Sequence, residues 1–134
     1  MDGEYRLKAQ IGGVGHLAYA KVQLSDAQYP SVVLDDHIFA WVFDVYGPNA
    51  WTNSLFFDDL RNGARSGALY ALHRTRSNHL VRVMEVGGGP ADATEPDVRF
   101  VVAHAVWNAL GHAPDVMPSI DDTGAFHFPN PPHD

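Results

Sequence analysis

The sequence contains no cysteine. That excludes disulfides, thiol nucleophiles and cysteine-based zinc sites, and it fits a cytoplasmic protein. No apolar run approaches the roughly 20 residues needed to span a bilayer, so no membrane role is expected. The first residues, Met1-Asp2-Gly3-Glu4-Tyr5, are acidic and lack the apolar segment of a secretory signal. Basic residues are scarce: 9 Lys+Arg face 16 Asp+Glu, a formal net charge of −7 over 134 residues. General nucleic-acid binding needs cations to displace phosphate counterions, so this balance argues against it. There is no HExxH zinc motif and no GxxxxGK[ST] phosphate loop. Neither a metal nor a cofactor is expected.

What is present is enough for a core. The chain is 46% hydrophobic and 11% aromatic, and its length suits one domain. The acidity is uneven. Residues 113–134 carry Asp115, Asp121, Asp122 and Asp134 with no Lys or Arg, together with five Pro. The expected division is a folded body over residues 1–112 and a Pro- and Asp-rich C-terminal tail or strap over 113–134. The body by itself is much closer to neutral.

Period-2 alternation from Tyr5 to Ile11 marks a half-buried strand, with Tyr5, Leu7, Ala9 and Ile11 on one face. Gly12, Gly13 and Gly15 break the chain. Leu17 to Leu24 alternates again, so the two strands read as a hairpin. Ser25 to Asp36 is rich in turn formers. Ile38 to Tyr46 is dense in aromatic and β-branched residues and is predicted as a third strand. A helix is predicted from Asn53 or Ser54 to Thr75, with Gly63 and Gly67 inside it. Each Gly costs about 1 kcal/mol there relative to Ala, which close approach of the helix to the sheet would offset. A fourth strand is predicted over His79 to Val86. Thr94 and Asp97 have capping-box spacing, with Pro96 in the first turn. Val98, Val101, Val102, Ala105, Val106 and Ala109 follow as a helical stripe that Gly111 and Pro114 end. The predicted class is α+β in the order β-β-β-α-β-α, a four-stranded sheet with two helices on one face.

That order is the arrangement of the ribosomal protein S5 domain 2-like fold. Gly12-Gly13-Val14-Gly15-His16-Leu17-Ala18 resembles the glycine-rich hairpin of domain IV of bacterial translation elongation factor G. Leu60-Arg61-Asn62-Gly63-Ala64 resembles the central helix of that domain. Val81-Arg82-Val83, then Gly88, Asp92, and Phe100 with Ala103, resembles its last strand, loop and helix. The similarity covers about residues 8–110. It implies a non-catalytic module, shaped like a tRNA anticodon arm, that meets a macromolecular partner through tip loops. The partner implied is the ribosome, or otherwise a protein. Carried over, the tip residues are Gly12, Gly13, Gly15, His16, Gly88 and Asp92. The family usually has Gln where His16 stands, His where Ala91 stands, and Ser where Glu95 and Pro96 stand. With no phosphate loop in the sequence, translocation by this chain alone is not expected.

Other residues carry chemistry of their own. Asp35-Asp36-His37 offers two acids and a base, but neighbours on a strand point to opposite faces, so a solvated loop is the plainer reading. With the arginines of the first predicted helix, these residues form the candidate site of an alternative, a small enzyme or ligand-binding domain. Arg61 and Arg65 share a helix face and form a candidate patch for an anionic partner, with Asp58 at ion-pair spacing from Arg61. His104 lies beside the apolar stripe, where a packing role is expected. Trp51 follows the predicted third strand as a core-edge or contact residue. A third reading, a dedicated acidic protein-binding partner of the immunity or anti-factor type, rests on the overall charge.

Overall fold

The computed structural model describes residues 1–52, 54–88 and 93–129. Its elements are β1 (Asp2–Ile11), β2 (Val14–Asp26), β3 (Ser31–Leu34), α1 (Ala40–Tyr46), α2 (Leu55–Thr75), β4 (His79–Gly88), α3 (Glu95–Leu110), β5 (Ser119–Ile120) and β6 (Phe126–His127). The fold is α+β. Four strands form one sheet in the order β1-β2-β4-β3, with β1, β2 and β4 antiparallel in turn and β3 parallel to β4. Helix α3 lies over β1 and β2, and α2 over β3 and β4. The core sits between the helices and the inward rows of the strands, among them Ala18, Ala20, Val22 and Leu24 of β2 and Val81, Val83 and Val86 of β4.

The hairpin, the long helices and the fourth strand lie where the pattern puts them. The third strand does not. Ile38 to Tyr46, predicted as a strand, contains α1, and the strand beside β4 is Ser31–Leu34, inside the predicted turn region. The reason is packing. Ile38, Phe39 and Val42 are buried together, at the i, i+3/i+4 spacing of a helix rather than the alternation of a strand. Trp41 then hooks the segment to the sheet by donating its Nε1–H to the Val86 carbonyl at 2.7 Å. Aromatic and β-branched content alone does not make a strand, because burial and pairing decide it. The observed order is therefore β-β-β-α-α-β-α-β-β rather than β-β-β-α-β-α.

The glycines of α2 serve close approach, but to α3 rather than to the sheet. A Cβ on Gly63 would stand 2.6 Å from the Glu95 carbonyl oxygen, and one on Gly67 2.5 Å from that of Arg99. With Ala64, Ala68 and Ala71 fully buried beside them, the two backbones nearly touch. Ser66 adds a hydroxyl hydrogen bond to Glu95 Oε1 at 3.2 Å. On the far side, Gly3 lets β1 press against the Ala105 carbonyl of α3.

The stretch after α3 folds back over the domain. Arg74 Nη2 donates to the Val116 carbonyl, Tyr70 Oη to the Pro129 carbonyl, and the Phe128 ring lies 4.1 Å from the Arg99 guanidinium carbon.

The glycine contact gives a stability prediction. Gly67→Ala gains about 1 kcal/mol of helix propensity, yet its methyl meets a backbone oxygen that cannot move alone. A net loss of about 1–3 kcal/mol is expected in urea denaturation; a stabilised variant would show that the helices are free to part.

Candidate functional site

The end of the domain named by the resemblance is built on the β1–β2 turn. Ile11 pairs with Val14, so the turn has two residues, Gly12 and Gly13, with φ of 60° and 80°. Positive φ at both positions is what a type I′ turn requires, and glycine supplies it without strain. Among the described residues a Cβ on Gly13 would meet nothing within 4 Å, and Val14 beside it is 43% exposed. Gly12 faces the other way, where a Cβ would stand 2.5 Å from the Asp122 carbonyl. Gly15 lies within β2, opposite Gln10. Gly88 ends β4 opposite Ala18, so close that a Cβ would stand 2.1 Å from the Leu17 carbonyl. Asp92 lies outside the described residues.

His16 points inward. Strand β2 starts three residues before its predicted start, so His16 shares the buried row of Ala18 and Ala20. It is 4% exposed, and its Nδ1 lies 2.7 Å from Asp97 Oδ1. Asp97 is equally buried, at the third position of α3. Its Oδ2 accepts the Thr94 backbone N–H at 3.0 Å and the Thr94 hydroxyl at 2.5 Å. One carboxylate therefore caps the helix and takes the imidazole Nδ1–H, with an oxygen for each task. His16 Nε2 is buried with no hydrogen-bond partner among the described residues, and the ring sits against Phe126 at 5.0 Å, edge to face. This places His16 as a tie between the hairpin and the start of α3, not as a side chain offered to solvent. The capping motif was legible in the sequence; its partner 81 residues away was not.

A third piece completes this end. The turn between β5 and β6 is organised by Asp121. Its Oδ1 accepts the N–H and the hydroxyl of Thr123 and the N–H of Ala125, and its Oδ2 lies 2.6 Å from His127 Nε2. These bonds, led by the Thr123 hydroxyl and then His127, hold the carboxyl far below the usual carboxylate range. Gly124 of this turn abuts the Ile11 carbonyl and the Val14 side chain. The hairpin tip, the α3 start and the C-terminal hairpin thus pack as one unit.

The remaining candidates are dispersed. Arg61 Nη1 donates to Asp58 at 3.1 Å, as the spacing predicted, and Nη2 to the Thr52 carbonyl at 3.0 Å, with its guanidinium over the Phe39 ring. It pins the loop before α2. Arg65 is exposed on the same helix. Asp35 turns back on its own loop, accepting the His37 N–H at 2.8 Å with Arg82 at 3.5 Å. Among the described residues no three His, Asp or Glu side chains are grouped to hold a metal ion. No helix among them is long and apolar enough to cross a membrane. His104 stacks on Tyr5 at 4.4 Å and touches Phe100 and Trp107; burial lowers its pKa from 6.5 to about 4.

No family model and no curated protein matches the chain. Among solved structures, a protein from Thermus thermophilus matches 84% of this chain at 12% identity with a TM-score of 0.48. The match spans 16% of that protein's length. At that level the likeness carries no functional weight.

Two outcomes follow from this geometry. Asp97→Ala strips the acceptor from a buried imidazole and from the helix cap together. A loss of about 3–5 kcal/mol is expected by chemical denaturation; a loss under about 1 kcal/mol would mean that the pair anchors nothing. For His104 the folded pKa lies below the unfolded one, so the unfolded state binds the extra proton. Its contribution is complete above pH 6.5 and is lost as pH falls toward 4. His104→Phe should flatten the fall in thermal midpoint between those two values; an unchanged slope would exonerate His104.

Proposed function

We propose that this chain is a non-catalytic interaction module resembling domain IV of elongation factor G, with the S5 domain 2-like arrangement that the resemblance implies. It engages a macromolecular partner, in the first instance the ribosome, through the end formed by the β1–β2 turn and the start of α3. The observation that carries this reading is the combination of a two-glycine turn, with Gly13 facing outward, and a rigid base. Among the described residues Gly13 faces open space and Val14 is partly exposed beside Gly124, while His16 and Asp97 lock the strand behind them to α3. A tip held in this way loses little conformational entropy when it docks. The motif order Gly12-Gly13-Val14-Gly15, Leu60 to Ala64, and Val81 to Ala103 supports the same reading. Arg65, exposed on α2, offers a cation to an anionic partner.

The experiment is co-sedimentation of the full chain with purified ribosomes. The wild type should pellet with them, and Val14→Asp, which leaves the buried pair untouched, should pellet about fivefold less. A chain that stays in the supernatant at low salt, or a Val14→Asp variant that pellets equally, would refute the reading.

A further inference from the structure

The tip accounts for one end of the molecule. A second surface lies beside the C-terminal end of β4, past the end of β3, where Ile38 and Trp41 bond to Val86. Helix α1, the loop after it and the start of α2 present Phe43, Val45, Tyr46, Trp51 and Leu55 to solvent, at 39, 66, 62, 72 and 83% exposure. Single exposed apolar residues are ordinary, but five large ones within thirteen positions are not.

These side chains stand on a fixed frame. Ile38 O accepts the Val86 N–H at 3.0 Å, and Trp41 donates back to the Val86 carbonyl, so two hydrogen bonds hold the α1 entry to β4. Phe39 packs against Phe57 and beneath Arg61. After α1, Gly47 N–H returns to the Phe43 carbonyl at 2.9 Å and Ala50 N–H to the Gly47 carbonyl at 3.2 Å. Arg61 then secures Thr52. Of α1, only Val42 is fully buried. The helix is held in place with most of its apolar surface facing out.

Charge identifies what the surface fits. From Val22 to Leu60 there is no Lys or Arg, while Asp26, Asp35, Asp36, Asp44, Asp58 and Asp59 all fall in that span. Asp35 and Asp58 have Arg82 and Arg61 beside them; Asp36, Asp44 and Asp59 are exposed. A second copy docking symmetrically would set this acidic set against itself. RNA would be repelled by the same charges. A cationic segment with apolar anchors satisfies both halves of the surface.

We propose that Phe43, Val45 and Tyr46 of α1, Trp51 of the loop after it and Leu55 at the start of α2, with Asp44 and Asp59 at the rim, dock a basic amphipathic segment of another protein. Leu- or aromatic-type anchors of that segment cover Val45, Tyr46 and Trp51, and its Lys or Arg side chains face the aspartates. The surface shares no residue with the β1–β2 turn, so it goes beyond the ribosomal reading and is tested independently of it.

The test titrates the full chain with a synthetic helical peptide of about 18 residues built from Lys, Leu and Ala repeats. Trp emission and backbone amide shifts are followed. Trp107 is buried and Trp41 half-buried, so the solvent-sensitive emission comes mainly from Trp51. Saturable binding is expected, with a blue shift and with amide changes confined to residues 40–59. Affinity should fall about tenfold or more between low and high salt. Asp44→Lys and the pair Val45→Asp with Tyr46→Ser, all at exposed positions, should each weaken binding by about tenfold while circular dichroism stays unchanged. Absence of saturable binding overturns the proposal, as do amide changes elsewhere. Equal affinity for the peptide with Ser in place of Leu, or Glu in place of Lys, overturns it too. A dimer in analytical ultracentrifugation that Val45→Asp dissociates assigns the face to a second copy instead. Amide changes at 40–59 on adding a single-stranded RNA oligomer would likewise refute a basic protein partner.

Discussion

The buried contact between His16 and Asp97 is the constraint on which this end of the molecule depends. It joins the second strand to the first turn of the last helix, two segments far apart in sequence, at 2.7 Å in a site closed to water. Burying a polar group costs free energy unless it is hydrogen-bonded; Asp97 meets three hydrogen bonds with one carboxylate, whereas His16 Nε2 has no partner among the described residues. Because the same carboxylate caps α3, the helix start and the hairpin cannot shift independently. The C-terminal hairpin closes the site by laying Phe126 against His16 and its turn against Gly12.

The helix pair supplies the other rigid element. Gly63 and Gly67 bring α2 so near to α3 that backbone meets backbone, and α3 in turn lies over β1 and β2. The arrangement leaves α1 beside the C-terminal end of β4, attached to Val86 by Trp41 and Ile38. A domain organised in this way presents two kinds of surface. One is a small, stiff turn backed by a polar tie. The other is an apolar, acid-rimmed helix and loop that give Val42 to the core and keep Phe43, Val45 and Tyr46 exposed. They differ in charge and shape, so they suit different partners.

Much of the architecture was legible in the sequence. Alternation identified β1 and β2, β4 was placed over His79 to Val86, and the apolar stripe with its capping residues identified α3. The span of α2 was equally plain. The third strand was not, because Ile38 to Tyr46 has strand-like composition and a helical burial pattern, and composition does not reveal which residues will be buried together. At the site, the turn glycines were visible because positive φ leaves a chemical mark on the sequence. The role of His16 was hidden by one misplaced boundary: with the strand started at Leu17, nothing assigned His16 to the inward row.

By itself, then, the sequence determined the α+β class, the hairpin turn and the long helices, because each of these depends on residues close together in the chain. Local periodicity, caps and glycines suffice for that. Only the tertiary structure decided that the α2 glycines face a helix rather than the sheet. It alone paired His16 with Asp97, and it alone left Phe43 and Tyr46 of α1 exposed. Those outcomes depend on which distant surfaces meet, and no local pattern encodes the meeting of segments eighty residues apart.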